Sequence, residues 1–404
     1  MSEVAQVTHS SPDGHIPQLR FPQFSHDWAI STIGNLAKID TGNRDTQDRV
    51  NSGKYPFYVR SNTVERINEY AFDGEAILTS GDGVGVGKNF HYVVGKFNYH
   101  QRVYSIHNFT NSTNGKFIYY YFADKFYRRV SRLSAKNSVD SVRMSMISDM
   151  PISIPAKPEQ QKIAAFLTAV DNKIEQLSKK QALLGEYKKG LMQKIFSQAI
   201  RFKADDGSDF PDWEDGLLNT LIDNSRKIRY GIVQPGKYDK NGKYLIRGKD
   251  YSNGWEIPSE FFKVSDAIEK KYSKTRVKKG DVIVCIVGSV GNVMVIPGWL
   301  DGANITQTTA RIAPDKNKLN NQYLYFYFQS LVGRNMIHKH TRVGTRPGLN
   351  IEDVEKFSIL LPSLLEQAKI ANFLSSIDNK IEQVGKQLDE SKQFKKALLQ
   401  QMFV

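Results

Sequence analysis

The sequence predicts a mixed α/β (α+β) protein with an internal pseudo-two-fold repeat: two similar globular domains separated by two long antiparallel coiled-coil helices. Three observations predict it. Residues 159–196 and 366–403 are copies of one another, 207 positions apart and identical at half of their positions, around the shared core K-I-A-x-F-L-x-x-[VI]-D-N-K-I-E-Q. Both copies carry apolar residues in interleaved seven-residue series. The stretches before them keep their landmarks in step.

In order, residues 1–18 are polar and rich in Pro, Gly and Ser, which predicts a loose tail. A first globular domain over 19–155 opens at Leu19-Arg20-Phe21-Pro22 and Trp28 and closes in the alternating, strand-like MPISIP. A helix over 156–200 follows. The second globular domain, 201–362, opens at Arg201-Phe202 and Phe210-Pro211-Asp212-Trp213 and closes in FSILLP; the last helix takes 363–404. Within the globular stretches, EAILTS and DVIVCIV read as buried strands ended by glycine turns. FIYYYFADKFYRRV and YLYFYFQSLVGRNMI have the length of helices, although their aromatic content also suits strands. At an offset of 206, Gly74–Leu78 falls opposite Gly280–Val284, Asn98 and Gln101 opposite Asn304 and Gln307, and FIYYYF opposite YLYFYF. One fold is used twice. The acidic run from Asp205 to Asp215 reads as a solvated connection.

The helix pair is expected to pack through Ile163, Leu167, Val170, Ile174, Leu177, Leu184 and Leu191 of the first copy and Ile370, Leu374, Ile377, Ile381, Val384, Leu388 and Leu398 of the second. Such a stripe on a long polar helix needs a partner helix to cover it. Pro158 suits a first turn, and Ser363-x-x-Glu366 reads as a capping box. Gly185, Gly190 and Gly385 are poor helix formers, expected to mark a close helix contact or a bend.

Net charge is +14, spread over the folded stretches rather than held in a tail, and points to an extended polyanion such as nucleic acid. The one cysteine, Cys285, sits in an apolar run and reads as a buried small hydrophobe, which excludes disulfides and cysteine-based zinc sites. No apolar stretch reaches 18 residues, so a cytoplasmic protein is expected. GDGVGVGK resembles a phosphate loop but has Asp82 where the first glycine belongs and Asn89 after Lys88. Neither a methyltransferase N-P-P-[FY] motif nor a nuclease carboxylate set is found, and His91, His100 and His107 lack companions at metal-ligand spacing. No catalytic or metal-binding residue and no cofactor are therefore expected in this chain.

What remains is binding chemistry: Arg, Lys, Asn, Gln, Ser and Thr on a rigid frame, reading base edges and holding phosphates. The candidates in the first half are Arg60, Ser61, Asn62, Ser80, Asp82, Lys88, Asn89, His100, Gln101 and Arg102. Those in the second are Arg247, Lys249, Asp250, Ser289, Asn292, Thr306, Gln307, Thr308, Arg342 and Arg346. The clusters Arg128, Arg129, Arg132 and Lys270, Lys271, Lys274, Arg276 suit phosphates better.

The layout, two divergent domains each opening near [LI]-R-F and closing before E-Q-x-K-I-A-x-F-L and D-N-K-I-E-Q, resembles the specificity subunit of type I restriction-modification enzymes over nearly the whole chain. The resemblance implies one target-recognition domain per half of a split site in double-stranded DNA. It also implies a helical spacer that fixes the gap and docks two modification subunits. Those would bind S-adenosylmethionine, while restriction subunits would supply ATP- and Mg-dependent translocation. Two other readings stay open from the residues alone: a standalone regulator of a split operator, and a coiled-coil protein-interaction scaffold. Steep salt dependence of DNA binding separates DNA readers from the scaffold, and co-purification with a methyltransferase separates the specificity subunit from the regulator.

Overall fold

The computed structural model describes residues 6–7, 16–83, 85–133, 141–252, 254–342, 344 and 347–404. The expected loose tail lies largely outside them; within it, Gln6–Val7 forms a short strand antiparallel to Leu19–Arg20. The chain divides into two compact units, Met1–Lys179 with Gly385–Val404, and Lys180–Val384. Each contains one globular part, the beginning of the helix that follows it and the end of the other long helix.

The globular part of the first unit contains β1 (Ala29–Thr32), β2 (Lys38–Thr41), β3 (Tyr55–Tyr58), β4 (Val64–Ile67), β5 (Phe72–Ser80), β6 (Phe90–Tyr99), β7 (Val103–His107) and β8 (Pro151–Ile154). Six of them form a sheet in the order β2-β7-β5-β6-β3-β4, antiparallel except for the parallel β3–β6 pair at Phe57 and Asn98. Ala76, Ile77 and Leu78 of β5 are buried on both faces, as expected of a central strand. Helix α1 (Gly115–Leu133) starts where the Asn114 side chain accepts from the Phe117 amide at 2.9 Å, an N-cap. Its buried Phe117, Tyr121, Phe122 and Phe126 make it helical: they form an apolar face against the core. Strand β8 pairs with β1, joining the closing segment to the opening one.

The second unit repeats this plan with β9 (Glu214–Leu217), β10 (Arg229–Tyr230), β11 (Lys243–Ile246), β12 (Phe262–Val264), β13 (Val282–Cys285), β14 (Val293–Val295), β15 (Asn304–Ile305), β16 (Thr309–Ile312) and β17 (Ser358–Leu361). The sheets run β10-β16-β13-β14 and β12-β11-β15, with β11 and β15 parallel, and β17 pairs with β9. The counterpart of the long strand β6 is thus cut into β14 and β15. Between them stand Pro297, which has no amide to donate, and the helical turn Gly298–Leu300. The aromatic run is helical here too, but Ser330 splits it into α3 (Asn321–Gln329) and α4 (Leu331–His340). The Ser330 hydroxyl accepts from the Gly333 amide at 3.1 Å, and a Cβ on Gly333 would stand 2.0 Å from the Tyr327 carbonyl oxygen. Only glycine fits at that break.

The two long helices are α2 (Lys157–Phe196) and α5 (Leu364–Met402). In the first unit, Ile163 and Leu167 share a core with Leu398, Met402 and Phe403, and Asp171 pairs with Lys395 at 2.6 Å, so the two helical segments run antiparallel. In the second, Met192, Ile195 and Phe196 meet Ile370, Leu374 and Ile377, with Lys188 on Asp378 at 2.6 Å. Leu177, Val384 and Leu388 are also buried, and Val170, Ile174, Leu184, Leu191 and Ile381 are half-buried. The stripe does more than pair helices. Phe403 packs edge-on against Phe117 and Tyr121 of α1, and Phe196 likewise against Tyr327 of α3, so each helix end completes a globular core. Gly185 and Gly190 mark no close contact, since a Cβ at either position would meet nothing within 4 Å.

The repeated Glu-Gln pair does what a capping box alone would not. Ser363 does accept from the Glu366 amide at 3.4 Å, but the Glu366 carboxylate turns instead to Arg201, at 2.9 and 3.3 Å, and to the Trp213 indole N–H at 3.0 Å. Glu159 does the same with Arg20, at 2.7 and 2.8 Å, and Trp28, at 3.3 Å. The neighbouring Gln160 accepts from the Asn114 amide and donates to the carbonyls of Ser112 and Pro155; Gln367 accepts from Asn320 and donates to Lys318 and Pro362. Each globular part is bonded to its own helix by one pattern, made twice.

Candidate nucleic-acid interface

In the first unit β5 ends in the glycine turn. The Gly81 amide donates to the Arg102 carbonyl and its carbonyl accepts from Val142, both at 2.7 Å, while Asp82 pairs with Ser141. Gly85 lets the turn close, because a Cβ there would lie 2.1 Å from the Asn89 side chain. Asn89 in turn donates to the Arg60 carbonyl at 3.2 Å, and the His91 ring approaches the Ser61 carbonyl at 3.3 Å. The Arg60 loop is therefore pinned to the turn. Asp82 stands between two guanidiniums, 3.0 Å from Arg60 and 3.7 Å from Arg102.

Of the candidates here, Arg60, Asn62, Lys88, Gln101 and Arg102 are exposed. Lys88 lies 5.6 Å over the Tyr127 ring, and Gln101 donates to Asp45 at 2.9 Å. Ser80, Asn89 and His100 are buried, which places them behind the turn rather than on it. The His100 ring accepts from the Arg102 amide at 2.8 Å, and burial pushes its pKa down, as it does that of His91. The matched Asn98 and Asn304 are buried frame residues, bonded to the Glu69 carbonyl and to Thr275 respectively.

The second unit builds the same corner differently. Val287 pairs with Gly348, the Leu349 amide donates to Ile286, and the turn from Gly288 to Asn292 faces α4 across a cleft of about 600 Å³. Ser289, Asn292, Arg334, His338 and Thr341 line it. Arg334 and His338 are new to this reading. Their i, i+4 spacing on the polar face of a helix was a signal, obscured by the aromatic run before it. Cys285, directly before the turn, is buried, and burial pushes its thiol up.

Arg247 is spent on Asp250, at 2.9 and 3.1 Å, while Lys249 and Gln307 are exposed. Thr306 and Thr308 share a 2.9 Å hydroxyl contact, and Arg342 lies 3.9 Å from Asp353; Arg346 falls outside the described residues. Among the phosphate candidates, Arg128, Arg132, Lys270, Lys271 and Lys274 are exposed. Arg129 instead donates to the Met146 and Asp149 carbonyls, and Arg276 grips Glu269, holding that carboxyl below its usual range.

A model of the type I restriction modification DNA specificity domain matches the chain twice, over residues 25–184 and 222–391. The chain belongs to the type I restriction-modification DNA specificity family. The specificity subunit of the type I restriction enzyme EcoBI of Escherichia coli is 25% identical to this specificity chain over 307 residues, 72% of the chain and 64% of that relative. The chain thus spans slightly under two thirds of the EcoBI subunit. The MjaVIII specificity subunit of Methanocaldococcus jannaschii is 25% identical over 415 residues, covering 94% of the chain and 92% of the relative. The crystal structure of a type I restriction-modification S subunit from M. genitalium shares the fold, with a TM-score of 0.64 at 17% identity over 96% of this chain and 99% of that one.

The named relatives are specificity subunits of type I restriction enzymes. Each match contains one Glu-Gln pair, yet Arg20 and Arg201, which those glutamates bind, lie outside the matched spans. Among the described residues, no helix is long and apolar enough to cross a membrane.

Proposed function

We propose that this specificity chain reads a split, asymmetric site in double-stranded DNA. Residues 19–155 read one half and residues 201–362 the other. The helices over 156–200 and 363–404 fix the gap between them and dock two modification subunits, which supply methyl transfer, with restriction subunits joining the larger complex. The observation that carries this reading is the repeated bonding of Glu159-Gln160 and Glu366-Gln367, which fixes each globular part to its own helix in the same way. Two divergent readers on equivalent mounts are what an asymmetric bipartite site requires. The turn chemistry supports the asymmetry, with Asp82 at one corner and Ser289 at the other. Docking of two like partners is supported by Tyr187 and Phe394, which occupy equivalent positions in the repeat and are 56% and 53% exposed.

The test is to lengthen the spacer. Four residues added to each helix, after Ser178 and after Gly385, add about 6 Å of rise, close to two base pairs of DNA. Expressed with its modification subunits, the variant should methylate sites with the same half-sites and a gap longer by about one or two base pairs. Methylation mapping that finds both half-sites and the original gap refutes the spacer.

A further inference from the structure

We propose that Asp82 is a specificity-determining residue of the first unit, its carboxylate accepting a hydrogen bond from an exocyclic amino group in the DNA major groove. The inference rests on the DNA-reading function above. A carboxylate accepts and cannot donate. At the major-groove edge only cytosine N4 and adenine N6 donate, whereas guanine N7 and O6, thymine O4 and every phosphate oxygen repel it. An acidic group on a DNA-facing corner therefore rejects most of what it meets.

The corner is built to present this group. Asp82 lies between Arg60 and Arg102, so the acid is neutralised from both sides, and its side chain keeps a quarter of its exposure. Asn89 and His91 hold the loop that carries Arg60, and the Gly81 amide is bonded to the Arg102 carbonyl, so the backbone carrying both cations is fixed relative to Asp82. Next comes Gly83 at φ +79°, where an added Cβ would touch nothing, leaving no side chain at that position to shield the acid from a base edge. The two arginines supply the complementary donors for guanine or phosphate beside it. The turn of the second unit has no acid; Ser289 there can both donate and accept, so its half-site carries no such restriction.

The competing role is that of a clamp, in which Asp82 only orients Arg60 and Arg102. A clamp lost weakens binding to all sequences alike, while a reader lost changes one base pair. The full chain, co-expressed with its modification subunits, is incubated with a random duplex library, and the bound DNA is sequenced for the unaltered protein, Asp82→Ala and Asp82→Asn. The expected result is that Asp82→Ala relaxes one or two adjacent base pairs of a single half-site, with discrimination falling about tenfold or more, while the other half-site and the gap persist. Asp82→Asn keeps that preference if the amino group is adenine N6, which an amide also reads, and loses it if the group is cytosine N4. Should Asp82→Ala not fold, the second half-site disappears with the first, and Asp82→Asn is scored in its place against a library with N6-methyladenine, whose blocked amino group weakens selection only for the adenine reader. An unchanged motif, or uniform weakening with the motif intact, overturns the proposal. If the unaltered chain selects no motif at all, the DNA-reading function itself fails.

Discussion

Replacing Glu159 by glutamine tests how a globular part is fixed to its helix. Arg20 and Glu159 are 4% and 2% exposed, and the carboxylate accepts two bonds from the guanidinium and one from Trp28. Glutamine keeps the shape but leaves the Arg20 charge buried without its counter-ion. Removing one partner of such a pair costs about 3–5 kcal/mol. One amide oxygen can still accept from Arg20, so the lower end, about 3 kcal/mol, is expected. Glu366→Gln is the built-in comparison. Arg201 is 24% exposed and has a second carboxylate, Asp212, at 3.4 Å, so its charge stays partly hydrated and paired. About 1–2 kcal/mol is expected there. Hydrogen exchange should show amides of β1, β8 and the start of α2 opening about a hundredfold more often in Glu159→Gln, and the matching amides around β9, β17 and α5 about tenfold more often in Glu366→Gln. The double variant Arg20→Met with Glu159→Leu should recover most of the loss, since it buries no charge. Equal small effects in both units, or a larger effect from Glu366→Gln, would refute the reasoning.

Two further predictions concern pH and helix propensity. Burial holds His91 and His100 of the first unit below the ordinary histidine value, so the folded state favours their neutral forms. The stability this implies is complete above about pH 6.5 and is lost as pH falls through the depressed folded values. In the second unit Arg276 depresses Glu269, whose contribution is retained until the pH drops below about 4.5. Protection factors measured from pH 7 to 5 should therefore fall in the first unit before the second, and parallel loss in both would contradict this. Gly190→Ala should raise stability by about 0.5–1 kcal/mol, because the methyl meets nothing and the helix gains propensity; a lowered urea midpoint would mean the position is not free.

Much of this fold was written in local patterns. The helical stripe, the strands EAILTS and DVIVCIV and the aromatic helices each follow from periodicity or apolar runs, which report burial directly. The break at Ser330 was not legible, because the aromatic and apolar residues of YLYFYFQSLVGRNMI suit one continuous helix, and the break comes from the Ser330 cap on the Gly333 amide and the close approach of Gly333 to the Tyr327 carbonyl. For the candidate interface, local patterns indicate the glycine turns but not which way their side chains face. Ser80, Asn89 and His100 have the right donors and acceptors for DNA, yet a central sheet buried on both faces and the tight turn enclose them. Exposure there depends on tertiary register, which residue type does not encode. Arg334 and His338 show the reverse: ordinary helix-surface residues become cleft lining only because the Gly288–Asn292 turn folds over against them.

Under the proposed function, the Glu-Gln pair lets the recognition sequence vary on a constant mount. In the first unit Glu159 binds the opening segment through Arg20 and Trp28, while Gln160 binds the loop before α1 and the residue after β8. One turn of helix thus holds the beginning, middle and end of the globular part, and a rotation of the helix must carry that part with it. In the second unit Glu366 and Gln367 hold the corresponding three places. None of these bonds involves the turns at Gly81–Asn89 or Gly288–Asn292. If the turns read DNA as proposed, substitutions in them change what is read without loosening how the globular part is held, whereas substitutions in the pair loosen that attachment without touching the turns.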